Sequence, residues 1–173
     1  MKLSNKTALT ALLIIMLTAI TALSSCGLYS FTGASYGTAK TVSIEYFQNR
    51  SSYVNANLSN TITENLKDKF MTQTPLTLVK SGGDLNFEGI ITGYTITTAG
   101  IKAGETAAYN RLTITIKVTF TNQTAPENDF EKSFSRYAEY NVDQSFSTVE
   151  QSLVDEIVEL LIDDIFNDSV VNW

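Results

Sequence analysis

The most regular pattern of apolar and polar residues in this chain runs from Arg111 to Thr121. Every second side chain there is apolar, and the side chains between them are basic or carry a hydroxyl group. The five apolar positions are Leu112, Ile114, Ile116, Val118 and Phe120. This alternation predicts a β-strand with one dry and one wet face, as in an antiparallel sheet that is covered on one side.

Two further stretches show similar alternation. The stretch from Thr41 to Phe47 predicts a half-buried strand whose inward positions are Val42, Ile44 and Tyr46. The stretch from Phe130 to Tyr140 predicts a returning strand after a turn that contains a proline.

A longer strand is predicted from Leu85 to Ile96, but its alternation slips near Gly89. Ile90 and Ile91 are adjacent there. An extra residue in one strand produces such a slip, so a β-bulge is predicted at Gly89. The segment from Thr98 to Ala107, with two glycines and two charges, is predicted to be a loop.

Two amphipathic helices are predicted. The first spans Ala56 to Gln73, where one apolar stripe repeats every four residues. Its members are Leu58, Ile62, Leu66 and Phe70. Pro75 ends it, because the residue before a proline disfavours helical backbone angles. The second helix spans Thr148 to Ser169, and Ser147 and Glu150 have the spacing of a capping box. Its predicted apolar face consists of Val149, Leu153, Ile157, Leu160, Leu161 and Ile165.

The predicted elements follow the order β-α-β-β-β-α. The simplest packing places two helices on one face of a four-stranded, mainly antiparallel sheet. The predicted fold class is therefore α+β.

The N-terminal region has the pattern of a bacterial lipoprotein signal. Two lysines precede an apolar run from Ala8 to Leu23, which two serines separate from Cys26, the only cysteine of the chain. A leucine and two small residues before a cysteine form a lipobox, in which the thiol is acylated and the chain is cut just before it. We predict a signal peptide at 1–25, a lipidated tether at 26–39 and a single α+β domain at 40–173.

Three other interpretations of this region are weaker. Cys26 as a free buried thiol or as half of an intermolecular disulfide does not explain its place directly after a signal-length apolar run. A transmembrane anchor needs about 18–20 apolar residues. The run has 16 residues, and three of them are threonines.

The charge balance limits the possible partners. The chain has 12 basic and 18 acidic residues, and the predicted signal contains two of the basic and none of the acidic ones. The mature chain therefore has a net charge of 10 − 18 = −8. This balance argues against nonspecific nucleic-acid binding and against electrostatic docking on an anionic leaflet.

The composition indicates no catalytic site. The chain has no histidine, so a Ser-His-Asp or Cys-His arrangement is impossible and zinc lacks its usual ligands. No glycine-rich phosphate loop is present. A serine–lysine pair such as Lys80-Ser81 stays formally open, but its signal is weak. We predict a non-enzymatic protein with no metal and no cofactor besides the N-acyl and S-diacylglycerol lipid on Cys26.

Two charged constellations are candidate binding surfaces. The second helix carries seven acidic residues and no basic one: Glu150, Asp155, Glu156, Glu159, Asp163, Asp164 and Asp168. They indicate a binding site for divalent cations or for a basic partner. The alternative is a solvated face that keeps the domain soluble.

The second constellation is basic and consists of Lys102, Arg111, Lys117, Lys132 and Arg136. These side chains predict either contact with an anionic ligand such as a lipid phosphate, or ordinary cross-strand pairing with Glu131 and Glu139.

Four stretches of the predicted mature chain carry a family resemblance: Cys26 to Ser35, Gly83 to Gly89, Asn110 to Ile116 and Phe134 to Tyr140. Together they resemble the Bacteroidetes branch of the LptE-type lipopolysaccharide-assembly lipoproteins. The resemblance implies a lipid-anchored protein of the outer membrane that faces the periplasm. It further implies a plug inside a large β-barrel partner of the LptD type, contact with lipopolysaccharide, and a fold of two helices on a four-stranded sheet. The chain differs from proteobacterial members, whose corresponding loop is basic, because here that loop contains one lysine, Lys102, and the acidic Glu105.

The leading hypothesis is therefore an outer-membrane lipoprotein that plugs a β-barrel translocon and assists lipopolysaccharide assembly. The alternative is a free-standing periplasmic lipid- or solute-binding lipoprotein. A deep apolar cavity between helices and sheet would favour the alternative. A filled core with an exposed aromatic patch would favour the plug. A periplasmic hydrolase is a distant third hypothesis.

Overall fold

The computed structural model describes residues 37–53, 55–101 and 108–171. Within these ranges the chain forms six strands and two helices. The strands are β1 (Thr41–Ile44), β2 (Gln48–Asn49), β3 (Thr77–Val79), β4 (Leu85–Ile101), β5 (Ala108–Asn122) and β6 (Phe130–Asn141). The helices are α1 (Leu58–Gln73) and α2 (Phe146–Val170). The predicted α+β class with two helices is confirmed.

The sheet is larger and more mixed than predicted. Its strand order is β3-β1-β4-β5-β6, with β2 beside β4. The β4-β5-β6 part is antiparallel as predicted, whereas β1 runs parallel to both β3 and β4. A parallel pair needs a long crossover connection, and α1 supplies it between β1 and β3. The four-stranded, mainly antiparallel prediction is therefore only partly right, because the short segments at Gln48–Asn49 and Thr77–Val79 join the sheet, and both pair in parallel.

The chain leaves the sheet after Ile44, and this corrects the predicted inward position of Tyr46. Tyr46 is 58% exposed, whereas Phe47 is fully buried. The backbone N–H of Phe47 donates to Oγ1 of Thr63 on α1 at 3.1 Å. The break in the ladder interrupts the two-residue alternation, so the next aromatic side chain takes the interior position.

The irregularities of β4 lie at other residues than predicted. Gly89 pairs with Val118 in regular register, and the register shifts fall between Ile91 and Gly93 and between Thr98 and Gly100. Gly89 instead provides space for the Phe47 ring. The predicted loop start at Thr98 is also wrong, since β4 continues to Ile101.

An aromatic chain fills the space between the two layers. Phe70 of α1 contacts Phe87 of β4 and Phe166 of α2, with ring centroids 5.0 and 5.1 Å apart. Phe87 continues to Phe120 at 4.8 Å, and Phe120 to Phe130 at 5.2 Å. The predicted apolar positions of α1 and β5 are all fully buried. Contacts between these rings therefore connect both helices to the three long strands.

The apolar face of α2 is wider than predicted and is rotated about the helix axis. Leu153, Ile157, Leu161 and Ile165 are buried as predicted, and the neighbouring row Val154, Val158, Ile162 and Phe166 is buried with them. Leu160 is 41% exposed, so its assignment to the core is wrong. Each of the two buried rows repeats every four residues, and together they cover one side of a helix with 3.6 residues per turn. A residue three positions after Ile157 lies at the flank of that side.

Candidate functional site

The sheet face opposite the helices is a hydroxyl-rich surface, here called the open face. Strands β5 and β6 supply its side chains from their odd-numbered positions. They include Thr113, Thr115, Thr119, Thr121, Ser133 and Ser135. The Thr115 and Ser135 hydroxyl groups lie 3.0 Å apart in one hydrogen bond. Among the described residues, no helix covers this face, because α1 and α2 both pack on the other side.

Two of the predicted basic site residues lie on the open face, each beside a carboxylate. The Arg111 guanidinium donates to Oε1 of Glu139 at 2.6 Å and stacks over the Tyr137 ring at 4.0 Å. Its hydrogen bonds to Glu139 raise the pKa of Arg111. Lys117 Nζ lies 2.7 Å from Oε1 of Glu131. This is the cross-strand pairing that was one of the two predictions.

The other two basic residues on the strands lie on the helix side of the sheet. Arg136 binds Asp164 of α2 through two parallel hydrogen bonds of 2.5 and 2.6 Å, and these raise its pKa. Lys132 forms an ion pair with Asp168 of the same helix. The structure therefore divides these four cations between the two faces. Lys102 and Cys26 lie outside the described residues, and contact of any of these residues with lipopolysaccharide stays a prediction.

Three of the seven acidic side chains of α2 form ion pairs with basic side chains of α1 and β6. Asp163, Asp164 and Asp168 form ion pairs with Lys69, Arg136 and Lys132. Within the described ranges, no three acidic or other ligating side chains are grouped so that they could hold a metal ion. An open cleft of about 480 Å³ lies between the helices, and Lys69 lines it together with Asp68, Asp155, Glu159 and Asp163. The ion pairs of Asp163, Asp164 and Asp168 give these three carboxylates a structural role in holding α2 to α1 and β6.

Glu150 joins three separate parts of the chain instead of capping α2. Its Oε1 accepts hydrogen bonds from the Tyr94 hydroxyl at 2.7 Å and from Asn55 Nδ2 at 2.9 Å. The Tyr53 ring stacks on Tyr94 with centroids 4.9 Å apart. Burial raises the pKa of the Tyr94 hydroxyl, and its bond to Glu150 raises it further. The helix begins after Ser145 without a side-chain cap, so the predicted capping box is wrong.

Replacing Tyr94 with phenylalanine is expected to lower the free energy of unfolding by about 1–3 kcal/mol. The change removes one hydrogen bond to a part-buried carboxylate and keeps the ring stack. Urea unfolding measures the effect, with Tyr137→Phe as the control because Tyr137 is half exposed and its hydroxyl group has no hydrogen bond of this kind to any described residue. Equal stability of Tyr94→Phe and the wild type would contradict a structural role for the Glu150 cluster.

The clefts of the described residues bear on the two functional hypotheses. The interior between the layers is occupied by fully buried side chains, among them Phe47, Phe70, Phe87 and Phe120. A second cleft, of about 260 Å³, opens beside the open face and is lined mainly by polar and charged side chains. Its rim includes Tyr46, Arg50, Glu88 and Lys117. Neither cleft is a deep apolar cavity of the kind a lipid-binding protein needs.

Comparison with known proteins gives one family match and a set of distant structural neighbours. The family model described as "LptE: Lipopolysaccharide-assembly" matches residues 39–169. No curated protein sequence matches the chain. No helix of the described ranges is long and apolar enough to cross a membrane.

Three solved structures illustrate the fold similarity. A hypothetical protein from Chlamydia trachomatis has 7% identity and a TM-score of 0.50, with 76% of this chain and 98% of that chain covered. A homolog of a neuraminyllactose-binding hemagglutinin from Helicobacter pylori has 7% identity and a TM-score of 0.50, with coverages of 76% and 83%. A minor lipoprotein from Acinetobacter baumannii has 12% identity and a TM-score of 0.46, with coverages of 76% and 96%. At these identities the similarity concerns the fold alone.

Proposed function

This chain belongs to the LptE lipopolysaccharide-assembly family, and we propose that it is a lipid-anchored component of the outer membrane that plugs a β-barrel translocon. The observation that carries the proposal is the family match over residues 39–169, which begins before β1 and ends in the last turn of α2. The match therefore includes every strand and both layers of the domain. Membership of this family also favours a non-enzymatic role, as predicted from the composition.

The filled interior supports a plug over a free-standing carrier. A carrier of lipid or solute needs a concave, mainly apolar site. The buried phenylalanine side chains occupy the corresponding space between helices and sheet. The partner, on this proposal, is a large outer-membrane β-barrel of the LptD type that recognises the outer surface of the domain.

The character of the open face also supports a plug. The interior of large outer-membrane barrels is polar. The hydroxyl groups of β5 and β6, with the cross-strand ion pairs of Arg111 and Lys117, present a polar surface without a helix over it. Such a surface can face a wet barrel wall without burying unpaired polar groups.

Contact with lipopolysaccharide is the finer part of the proposal. Lys102, Arg111, Lys117, Lys132 and Arg136 are the candidate partners for its phosphate groups. Arg111, Lys117, Lys132 and Arg136 already bind a carboxylate, so phosphate would replace Glu139, Glu131, Asp168 or Asp164 as the partner. Of the four, Arg111 and Lys117 lie on the face without helices and are therefore the more accessible pair.

Co-purification from native membranes tests the plug. The protein is extracted from outer membranes with mild detergent and isolated through an affinity tag at its C-terminus. A large β-barrel protein is expected in stoichiometric amounts. Recovery of the lipoprotein without any such barrel would contradict the plug and favour the free-standing alternative.

Replacing Cys26 with alanine, behind a signal peptide that is cut without lipidation in place of residues 1–25, is expected to give a mature domain without acyl chains. Two or more acyl chains give stable membrane anchoring. Without them, only binding to a protein partner can hold the domain at the membrane. Mass spectrometry of the wild type is expected to show a mature chain that begins at an acylated Cys26. Fractionation of the variant, with and without the barrel partner, then separates the lipid anchor from the protein contact. A wild-type chain that keeps Met1 and carries no lipid would contradict the proposed anchor.

A further inference from the structure

Among the described residues, nothing pairs with the outer edge of β4 over its second half. β1 and β2 pair with this edge only as far as Ile91, whose carbonyl accepts a hydrogen bond from the Arg50 N–H at 2.9 Å. Beyond Ile91, no strand of the described part of the chain lies beside the edge. Every residue from Thr95 to Gly100 is exposed. The strand edge from Thr95 to Gly100 is thus available for pairing on this side of the sheet.

The register assigns the backbone groups that face outward. Up to Ile91, the N–H and C=O groups that point away from β5 belong to odd-numbered residues of β4. The carbonyls of Phe87 and Ile91, which accept hydrogen bonds on that side, show this. The one-residue irregularity before Gly93 shifts this alternation. Beyond it, the N–H and C=O groups of Ile96 and Thr98 therefore face outward, while the residues between them pair with β5.

The other edges of the sheet are very short or carry charged side chains, whereas this edge is longer and uncharged and is interrupted only by the register irregularities before Gly93 and before Gly100. Natural proteins protect edges with short strands and with charged side chains. β3 has three residues, and β6 carries Glu131, Lys132, Arg136 and Glu139. Between Glu88 and Lys102 the chain has no charged residue and no proline. The exposed part of β4 instead contains three threonines and one isoleucine, which favour strands, before Ala99 and Gly100.

We propose that the outer edge of β4 from Thr95 to Gly100 receives an extended segment of a different protein as an additional strand. In strand addition, main-chain hydrogen bonds supply affinity and alternate side chains supply specificity. On the helix side the incoming segment would meet Ile96 and Tyr53, which are 44% and 45% exposed. On the open face it would meet the Thr95 and Thr97 hydroxyl groups. The partner segment is therefore uncharged, with apolar and hydroxyl-bearing residues in alternation.

Charge favours a different protein over a second copy of this chain. Each mature copy has a net charge of 10 − 18 = −8, so edge-to-edge pairing of two copies brings like charges together. An uncharged segment of another protein meets no such repulsion. The proposed plug function does not require this edge, and co-purification of a barrel does not test it.

Site-specific crosslinking in intact cells tests the added strand. A benzoylphenylalanine residue replaces Thr98 at the edge, and a second strain carries it at Ser135 on the open face as the matched control. Sequencing of the crosslinked peptides is expected to give an uncharged extended segment of another protein at Thr98, with at least a tenfold lower yield of that adduct at Ser135. Equal yields at both positions, an adduct within a second copy of this chain, or an adduct to lipid alone would overturn the proposal.

Substitution of Ile96 distinguishes strand pairing from mere proximity. Ile96→Pro removes an outward N–H, which edge strands tolerate, and is expected to reduce the Thr98 adduct at least tenfold. Ile96→Lys adds an edge charge at a half-exposed position and covers the case in which the proline variant does not fold. Folding of each variant is checked by its thermal unfolding. An undiminished adduct in a folded variant of either kind would overturn the proposal.

Discussion

Replacing Ile157 with aspartate is expected to remove about 4 kcal/mol or more of the free energy of unfolding. Ile157 is fully buried in the middle of α2, between Leu153 and Leu161 one turn away on either side. A carboxylate there loses its hydration without gaining a partner, and the apolar contacts of isoleucine are lost as well. Domains of this size have a total stability of about 5–15 kcal/mol, so the variant is expected to be largely unfolded or close to it.

Leu160→Asp on the same helix is the matched control. Leu160 is 41% exposed and lies on the flank of the buried face. The new carboxylate stays hydrated, so its cost is limited to repulsion from Glu156 and Asp164 one turn away, a lower helix propensity and the lost partial burial of the leucine, together about 2 kcal/mol at most. Urea unfolding of both variants at neutral pH measures the difference. Similar losses at the two positions would contradict the orientation of α2, because sequence periodicity alone assigned both residues to the core.

The long strands and both helices could be predicted because their side chains obey a local period. In β5 the alternation is uninterrupted, and every second residue from Leu112 to Phe120 is fully buried. In α1 the four-residue stripe corresponds directly to the buried positions. A period of this kind depends only on the geometry of the element itself. It can therefore be recognised in the sequence without knowing which element it packs against.

The errors occur where a tertiary contact replaces the local pattern. The slip at Gly89 was attributed to a bulge, but the glycine is required by the Phe47 ring from 42 residues earlier in the chain. The S-x-x-E spacing of Ser147 and Glu150 indicated a capping box, but both residues lie inside α2, and Glu150 binds Tyr94 and Asn55. The parallel pairing of β1 with β3 depends on the crossover through α1. No local period encodes contacts between such distant positions.

The charged surfaces were only partly predictable for the same reason. Pairing of Arg111 with Glu139 and of Lys117 with Glu131 follows from placing β5 beside β6, which the sequence allows. The ion pairs from Lys132 and Arg136 to α2 depend on where the helix crosses the sheet edge. A list of basic residues on two strands therefore suggested one surface, whereas the fold places them on two.

Replacing Gly89 with alanine is expected to cost about 3 kcal/mol, although alanine suits a strand better than glycine does. An added Cβ would lie 2.1 Å from Cε1 and 2.2 Å from Cδ1 of Phe47. The Phe47 ring has no room to retreat, because it is fully buried and its backbone N–H is held by Thr63. Overpacking of a rigid core costs typically about 1–3 kcal/mol, and a contact this short is expected to reach the upper end of that range. The loss should exceed the gain of about 0.5–1 kcal/mol that alanine normally gives over glycine in a strand.

Two comparisons by urea unfolding separate this steric effect from a general effect of the substitution. Gly93→Ala places a Cβ 3.1 Å from the nearest atom of Thr115, so its cost is expected to be below about 1 kcal/mol. Phe47→Leu removes part of the ring that the new Cβ meets. In the Phe47→Leu background, Gly89→Ala is therefore expected to cost at least 1 kcal/mol less than in the wild type, within the ~0.5–3 kcal/mol that contacting residues show in double-mutant cycles. Strict additivity of the two substitutions would mean that Gly89 is needed for its backbone and not for the space it leaves to Phe47.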